Sequence, residues 1–238
     1  MLEENITMPT PRERRLANEF KRIQSIRKKE GLIDFRCADL TAEEASAFLA
    51  TSMTFDVITE ALPGFLEVEE YVRRFPDRPP EKYLVIFRCT GLRKDAGQFV
   101  KTDRHLLEIV FGLDYPTKRP RFVWLTDIWH PNIDPPYLCT DGRPFAIGTT
   151  LDQICLMVGQ MIQYRNYNVE DPLNKRAAQW AIQNRDQLPV DTRGLLDGRV
   201  NSRPLVSFSG PDLIEWTDAP SAAERAPTDP DGPVVQWL

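Results

Sequence analysis

Between residues 130 and 139 the chain reads His-Pro-Asn-Ile-Asp-Pro-Pro-Tyr-Leu-Cys, a stretch holding one of only two histidines and one of four cysteines. A thiol, an imidazole and a carboxamide are components of covalent acyl chemistry: sulfur attacks a carbonyl, and a fixed donor steadies the charge that develops on oxygen. His130, Asn132 and Cys139 could in principle form the base, orienter and nucleophile of a cysteine protease. Their order within ten residues matches no protease signature, and Pro131 stiffens the spacing. Cys139 taken alone is an ordinary loop thiol, so its chemistry depends on what surrounds it.

The other thiols read as structure. Cys37 and Cys89 fall in strand-like runs, and Cys155 lies on the apolar face of a helical pattern. There is no C-x-x-C and no Cys/His pair at zinc spacing, so neither a structural metal nor a disulfide framework is expected.

The elements that must hold the stretch follow from periodicity. Thr10-Pro11-Arg12-Glu13 is a capping box with proline at the first helical position, and Leu16, Phe20, Ile23 and Ile26 recur on one face; this helix should end near Gly31. A short strand is expected from Leu32 to Asp39, and a partly helical segment over 41–62, opened by a second capping box at Thr41. Three β-rich runs follow, YLVIFRC (83–89), HLLEIVFGL (105–113) and RFVWLTDIW (121–129), too close together for helical crossovers, which predicts an antiparallel meander. After the loop, Thr150 to Gln153 caps a helix with a broad apolar face, Leu151, Ile154, Cys155, Val158 and Ile162, which should lie under the sheet. Asp171-Pro172 offers an N-cap and a first-position proline for one more helix, through Trp180 toward Asn184. The architecture predicted is α+β, with helices segregated from an antiparallel sheet.

Composition excludes some classes. Thirty Lys plus Arg against 35 Asp plus Glu gives a net charge of −5, which argues against general nucleic-acid binding. Residues 11–30 are the exception, with eight basic and three acidic side chains, and that run is either a solvated helix face or a docking surface for an acidic partner. No apolar run approaches the roughly 20 residues of a membrane span, and the N-terminus MLEENITMPT has no signal-peptide core. A cytoplasmic protein is expected. Residues 1–10 and 218–238 read as disordered, 11–190 as the domain with an enlarged insertion at 40–80, and 191–217 as an irregular extension.

From Tyr115 to Ala178 the motifs and their order resemble the ubiquitin-conjugating enzyme family, and the likeness extends more loosely from Arg12 to Asn184. The residues that carry it are Tyr115-Pro116 with Pro120, His130-Pro131-Asn132, Cys139, Asp171-Pro172-Leu173, and Asn174 with Ala177-Ala178. The 33 residues from Cys139 to Pro172 agree with the family interval. The resemblance implies a conjugating enzyme: Cys139 carries a ubiquitin-like protein as a thioester and passes it to an amine, normally a lysine, of a target protein. It implies that Asn132 supplies the oxyanion donor or holds the loop that places it. Asp171 stands where the family keeps an acidic residue near the incoming amine, an N-cap role being the plainer alternative. His130 and Pro131 are implied to brace the loop. The first helix docks the activating enzyme in this family, which gives Arg14, Arg15, Lys21 and Arg22 a purpose. No metal or organic cofactor is implied, because ATP is used by the upstream enzyme.

The sequence departs from the family pattern in several places. Seven residues rather than eight separate Asn132 from Cys139, and Pro135-Pro136 replaces a polar, glycine-containing stretch. GRPFAIGTT (142–150) replaces the Trp-Ser-Pro-Ala loop, and Thr117 stands where phenylalanine is common; both positions serve RING-type ligases, so dependence on such a ligase is not implied. Residues 40–80 are longer than the family's connection, and the two usual C-terminal helices are shortened or replaced beyond 187; with these changes the chain resembles divergent conjugating enzymes of bacterial ubiquitin-like pathways, some linked to antiphage defence. The competing reading is a catalytically silent relative that binds ubiquitin-like proteins as a scaffold, since a fold alone never guarantees chemistry.

Overall fold

The structure, a computed structural model, describes residues 8–38, 64–139 and 149–199, all within the compact unit Met1–Ser202. The helix expected over 41–62, the N-terminal residues 1–7, most of the 142–150 loop, and everything from 200 onward, including the tail 218–238, lie outside the described residues.

Helix α1 spans Pro11–Ile26 and starts as its sequence dictates: the Glu13 carboxylate accepts from the Thr10 amide at 2.7 Å and the Thr10 hydroxyl accepts from the Glu13 amide at 3.2 Å. It ends at Ile26, short of Gly31. Arg27 leaves the helical conformation, and its guanidinium is taken by Asp34 at 2.7 Å and by Glu69, so side-chain pairing turns the chain toward the first strand.

Among the described residues, five antiparallel strands form the sheet, in the order β2 (Leu66–Glu67), β1 (Ile33–Ala38), β3 (Lys82–Phe87), β6 (His105–Val110), β7 (Arg121–Trp124). The expected meander is there, with each β-rich run shorter than its apolar pattern. A seven-residue helix α2, Val68–Arg74, lies in the described part of the 40–80 insertion. Between β3 and β6 stands a hairpin the sequence reading did not assign, β4 (Gly91–Asp95) with β5 (Gln98–Thr102). Its two-residue turn, Ala96-Gly97, has φ of 46° and 85°, the left-handed geometry that tight hairpins require.

Alternation along the strands sends Ile33, Phe35, Cys37, Tyr83, Val85, Phe87, Leu107 and Ile109 into the main core, which α3 (Leu151–Ile162) completes with Leu151, Ile154, Val158 and Ile162. Leu84, Ile86 and Leu106 form a second buried cluster with Leu125, as strict alternation places them on the other face of the sheet. Helix α4 follows at Lys175–Gln183. Residues 191–199 contain no helix or longer strand, yet Leu195 is buried in the main core and its carbonyl accepts from the Leu32 amide at 2.8 Å.

Two charged groups tie these layers together. Glu19, 1% exposed on the apolar stripe of α1, pairs with Arg15 at 2.7 Å, accepts from the Tyr115 hydroxyl at 2.9 Å, and accepts from the Leu151 amide at 2.7 Å. A carboxylate at the first turn of α3 meets both the unpaired amides and the positive end of that helix. Glu19→Ala leaves a partly buried guanidinium, a phenol and a helix amide without their partner. It is expected to cost about 3–5 kcal/mol, lowering the melting temperature by roughly 10 °C. Glu19→Gln, which keeps one accepting oxygen and places an amide donor at the other, should lose less in the same calorimetric scan.

Asp34 is held at about 2, below its ordinary 3.8: burial opposes ionisation, and the bonds from Arg27, Arg36 and the Phe35 amide more than offset it. A depressed folded-state pKa stabilises the fold above the unfolded pKa, and that contribution disappears as pH falls through the folded value. Asp34→Asn should therefore cost roughly 2 kcal/mol near pH 7. The gap between variant and parent should close between about pH 4 and 2 in urea titrations.

Candidate active site

Beyond β7 the chain is pinned at short intervals. The Trp129 amide donates to the Leu92 carbonyl of β4 at 2.6 Å, and the Trp129 ring packs against Phe99 of β5, so the unassigned hairpin is what backs the loop. Ile133–Asp134 (β8) and Tyr137–Leu138 (β9) then form a minimal antiparallel pair turning at Pro135-Pro136, which is joined by a cis peptide. Neither proline offers an amide hydrogen, and at the turn none is needed.

This turn brings Cys139 back to Asn132. The Cys139 amide donates to the Asn132 carbonyl at 2.9 Å, leaving the thiol half-buried at the end of β9. The three other cysteines are buried, and burial raises the Cys37 and Cys89 thiols to about 12 and the Cys155 thiol higher still. Cys139 is thus the one cysteine of the four that is not buried.

Asn132 itself is buried, and its carboxamide is engaged at both ends. Its Nδ2 donates to the Asn168 carbonyl at 2.9 Å, and its Oδ1 accepts from the Asn168 amide at 2.7 Å. The side chain acts as a clasp between the loop and the segment that follows α3. His130 is fully buried, with Nδ1 accepting from the Asn132 amide at 3.1 Å. Burial lowers its pKa to about 3, against the pull of the Met161 carbonyl. A neutral imidazole whose acceptor nitrogen is already occupied cannot serve Cys139 as a base, so the protease arrangement has no geometric support. Pro131 is also buried, and its carbonyl accepts from the Asn174 amide at 2.9 Å.

Asp171 is exposed, on a turn where its amide donates to the Asn168 side chain at 3.3 Å. It is not the N-cap of α4, contrary to the sequence expectation, and Pro172 is not in that helix. Asn174 caps α4 instead, its Oδ1 accepting from the Ala177 amide at 2.9 Å. The Asn174 amides are held by Pro131 and by Asp134 at 3.1 Å, and these bonds to the loop delay the start of the helix. Hydrogen bonds thereby join three short segments, 130–134, 137–139 and 168–174, on which Asn132, Cys139 and Asp171 stand.

The basic residues of α1 divide. Arg14, Lys21 and Arg22 face solvent, Arg22 lying 3.6 Å from Asp152. Arg15 turns inward, to Glu19, to the Tyr115 hydroxyl at 3.0 Å and to the Thr149 carbonyl at 3.0 Å. Among the described residues no group of three His, Cys, Asp or Glu converges as a metal site, and no helix is long and apolar enough to cross a membrane.

Sequence reasoning missed three supporting residues. Glu19 had a signal, a carboxylate on an otherwise apolar stripe. Asn168 acts on Asn132 through its backbone, which any residue type offers, so nothing in the sequence marks it. Tyr164, buried against His130 with ring centroids 4.8 Å apart, follows α3 where a glycine would be usual.

The sequence profile described as "Ubiquitin-conjugating enzyme" matches residues 81–191, which include the loop, Cys139 and Asp171. Among solved structures, the E2 domain of a Toxoplasma gondii ubiquitin conjugating enzyme is similar at 16% identity, over 73% of this chain and 88% of that one, with a TM-score of 0.41. A protein described as a ubiquitin conjugating enzyme from Plasmodium yoelii is similar at 15% identity, over 76% and 89%, with a TM-score of 0.42. Over residues 81–191 this chain is similar to the ubiquitin-conjugating enzyme family, and the α+β fold that carries its candidate site is ubiquitin-conjugating-enzyme-like.

Proposed function

We propose that this protein carries a ubiquitin-like modifier as a thioester on Cys139 and transfers it to an amine of a target protein. The observation that carries the reading is the half-buried Cys139 thiol, tied through its amide to Asn132 inside the matched segment, while every other thiol is buried. The Cys139 thiolate attacks the carbonyl carbon of the modifier's C-terminal thioester on the activating enzyme, a new C–S bond forms, the old one breaks, and that enzyme's cysteine leaves as thiolate. A neutral amine then attacks the same carbonyl, the C–S bond breaks, and Cys139 leaves as thiolate while the nitrogen gives up a proton.

Roles for the neighbours follow from position. Asn132 keeps the loop against the 168–171 segment, so that backbone and side-chain donors stay fixed while oxyanion charge develops. A free lysine, with its pKa near ~10.4, is protonated in neutral solution. Asp171, exposed beside the loop, is suited to attract and orient that amine and to ease loss of its proton. The exposed face of Arg14, Lys21 and Arg22 is suited to an acidic surface of the activating enzyme.

The test is incubation with an activating enzyme, its modifier and ATP, followed by gel analysis with and without a reducing thiol. An ATP-dependent adduct that a reducing thiol cleaves supports the reading. Absence of any adduct, with the modifier still bound, would favour the scaffold instead.

A further inference from the structure

We infer that Tyr164 is a positioning residue for Cys139, acting through the His130-Pro131-Asn132 turn. The observation comes from the backbone. Helix α3 closes with the Tyr164 amide on the Met161 carbonyl at 2.8 Å and the Arg165 amide on the Gln160 carbonyl at 2.9 Å, and the residue that makes this reversal, Tyr164, has φ of 55°. That paired pattern requires a left-handed residue, for which glycine or asparagine serves at least cost. A bulky aromatic side chain there is strained, and such strain persists where the surroundings impose it. The backbone gains nothing from tyrosine, so the side chain is what the position requires.

The side chain reaches the loop in two ways. Its hydroxyl donates to the Trp129 carbonyl, the last backbone acceptor before His130. Its ring lies edge-on to the buried His130 imidazole, with Tyr167 closing the far side at 5.5 Å from Tyr164 and 6.5 Å from His130. From there the connections are continuous: His130 Nδ1 accepts from the Asn132 amide, the Asn132 carboxamide clasps Asn168, and the Asn132 carbonyl accepts from the Cys139 amide. His130 stays neutral at any working pH, so its acceptor bond is not lost by protonation. Tyr164 is 3% exposed and remote from solvent, which leaves it no part in binding.

The effect on amine transfer rests on the proposed function, while the effect on the thiol does not, and the experiment separates them. Tyr164→Phe keeps the ring and removes the hydroxyl. Tyr164→Asn keeps a residue that tolerates the left-handed conformation and removes the ring. Native protein is treated with iodoacetamide at a temperature where circular dichroism shows all variants folded, and labelling of Cys139 is followed by mass spectrometry. In both variants Cys139 is expected to label at least about threefold faster than in the parent, because a loosened loop exposes a half-buried sulfur. Discharge of a preformed thioester to free lysine is expected to slow about tenfold with the KM for lysine unchanged. A residue that merely stabilises the fold would lower the melting temperature and leave the folded-state labelling rate alone. Labelling within about twofold of the parent in both variants overturns the inference, whatever the discharge rate. Faster labelling in a protein that never forms a thioester upholds Tyr164 and overturns the proposed function.

Discussion

Cys139→Ala is expected to accept no modifier at all, and Cys139→Ser to trap it as an ester that survives reducing thiol but is cleaved by hydroxide. The reasoning separates two properties that sulfur combines. A thiolate attacks an acyl carbon readily and also departs readily, so a thioester both forms and discharges. Alanine removes the nucleophile. Serine replaces it with a hydroxyl of far higher pKa that attacks slowly and leaves poorly, so the acyl group arrives in small amounts and stays. Cys37, Cys89 and Cys155 cannot substitute, since all three are buried and burial raises each thiol pKa well above its ordinary value. Gel analysis of both variants, with thiol and with hydroxide, reads the outcome. A thiol-labile adduct on Cys139→Ala would move the site elsewhere.

The second large effect concerns Asn132, where structure and chemistry meet in one side chain. Because Nδ2 donates to the Asn168 carbonyl and Oδ1 accepts from the Asn168 amide, Asn132→Ala strands two part-buried backbone groups. At ~1–3 kcal/mol for each unsatisfied group, the variant should lose about 2–4 kcal/mol of stability. Discharge of the thioester to lysine should slow about a hundredfold, the range of a lost or misplaced oxyanion donor. Asn132→Asp should do no better: one carboxylate oxygen can accept from the Asn168 amide, but the other faces the Asn168 carbonyl, acceptor against acceptor, and the charge is buried. Urea titration and single-turnover discharge on the same two variants check both claims. A rate loss without a stability loss would mean that the amide serves the oxyanion directly and is not held by Asn168 during the reaction.

Local chemistry made much of the fold legible. The Thr10 capping box starts α1 and the apolar period of α3 buries it, because both depend on contacts between residues three or four apart. The three β-rich runs became neighbouring strands for a similar reason, continuous apolar runs with turns too short to cross over. Element ends were harder to read. The end of α1 depends on Arg27 meeting Asp34 and Glu69, and the start of α4 depends on Asn174 meeting Pro131 and Asp134, partners up to 43 residues away in sequence. The hairpin behind Trp129 was passed over because Ala96-Gly97 is a weaker turn signal than the Asn-Gly or Asp-Gly pairs that usually mark such turns.

At the site, the sequence by itself determined which atoms could react. Residue type alone supplies the Cys139 sulfur, the Asn132 amide and the Asp171 carboxylate, and motif order alone relates them to a family. Only the tertiary structure decided what each is free to do. It buried three thiols and left the fourth half-open, locked the Asn132 carboxamide onto Asn168, released Asp171 from helix capping, and turned Arg15 inward while Arg14, Lys21 and Arg22 stayed in solvent. The physical reason is that burial and hydrogen-bond commitment arise from partners distant in the chain. A side chain's reactivity is set by which of its atoms those partners have already taken.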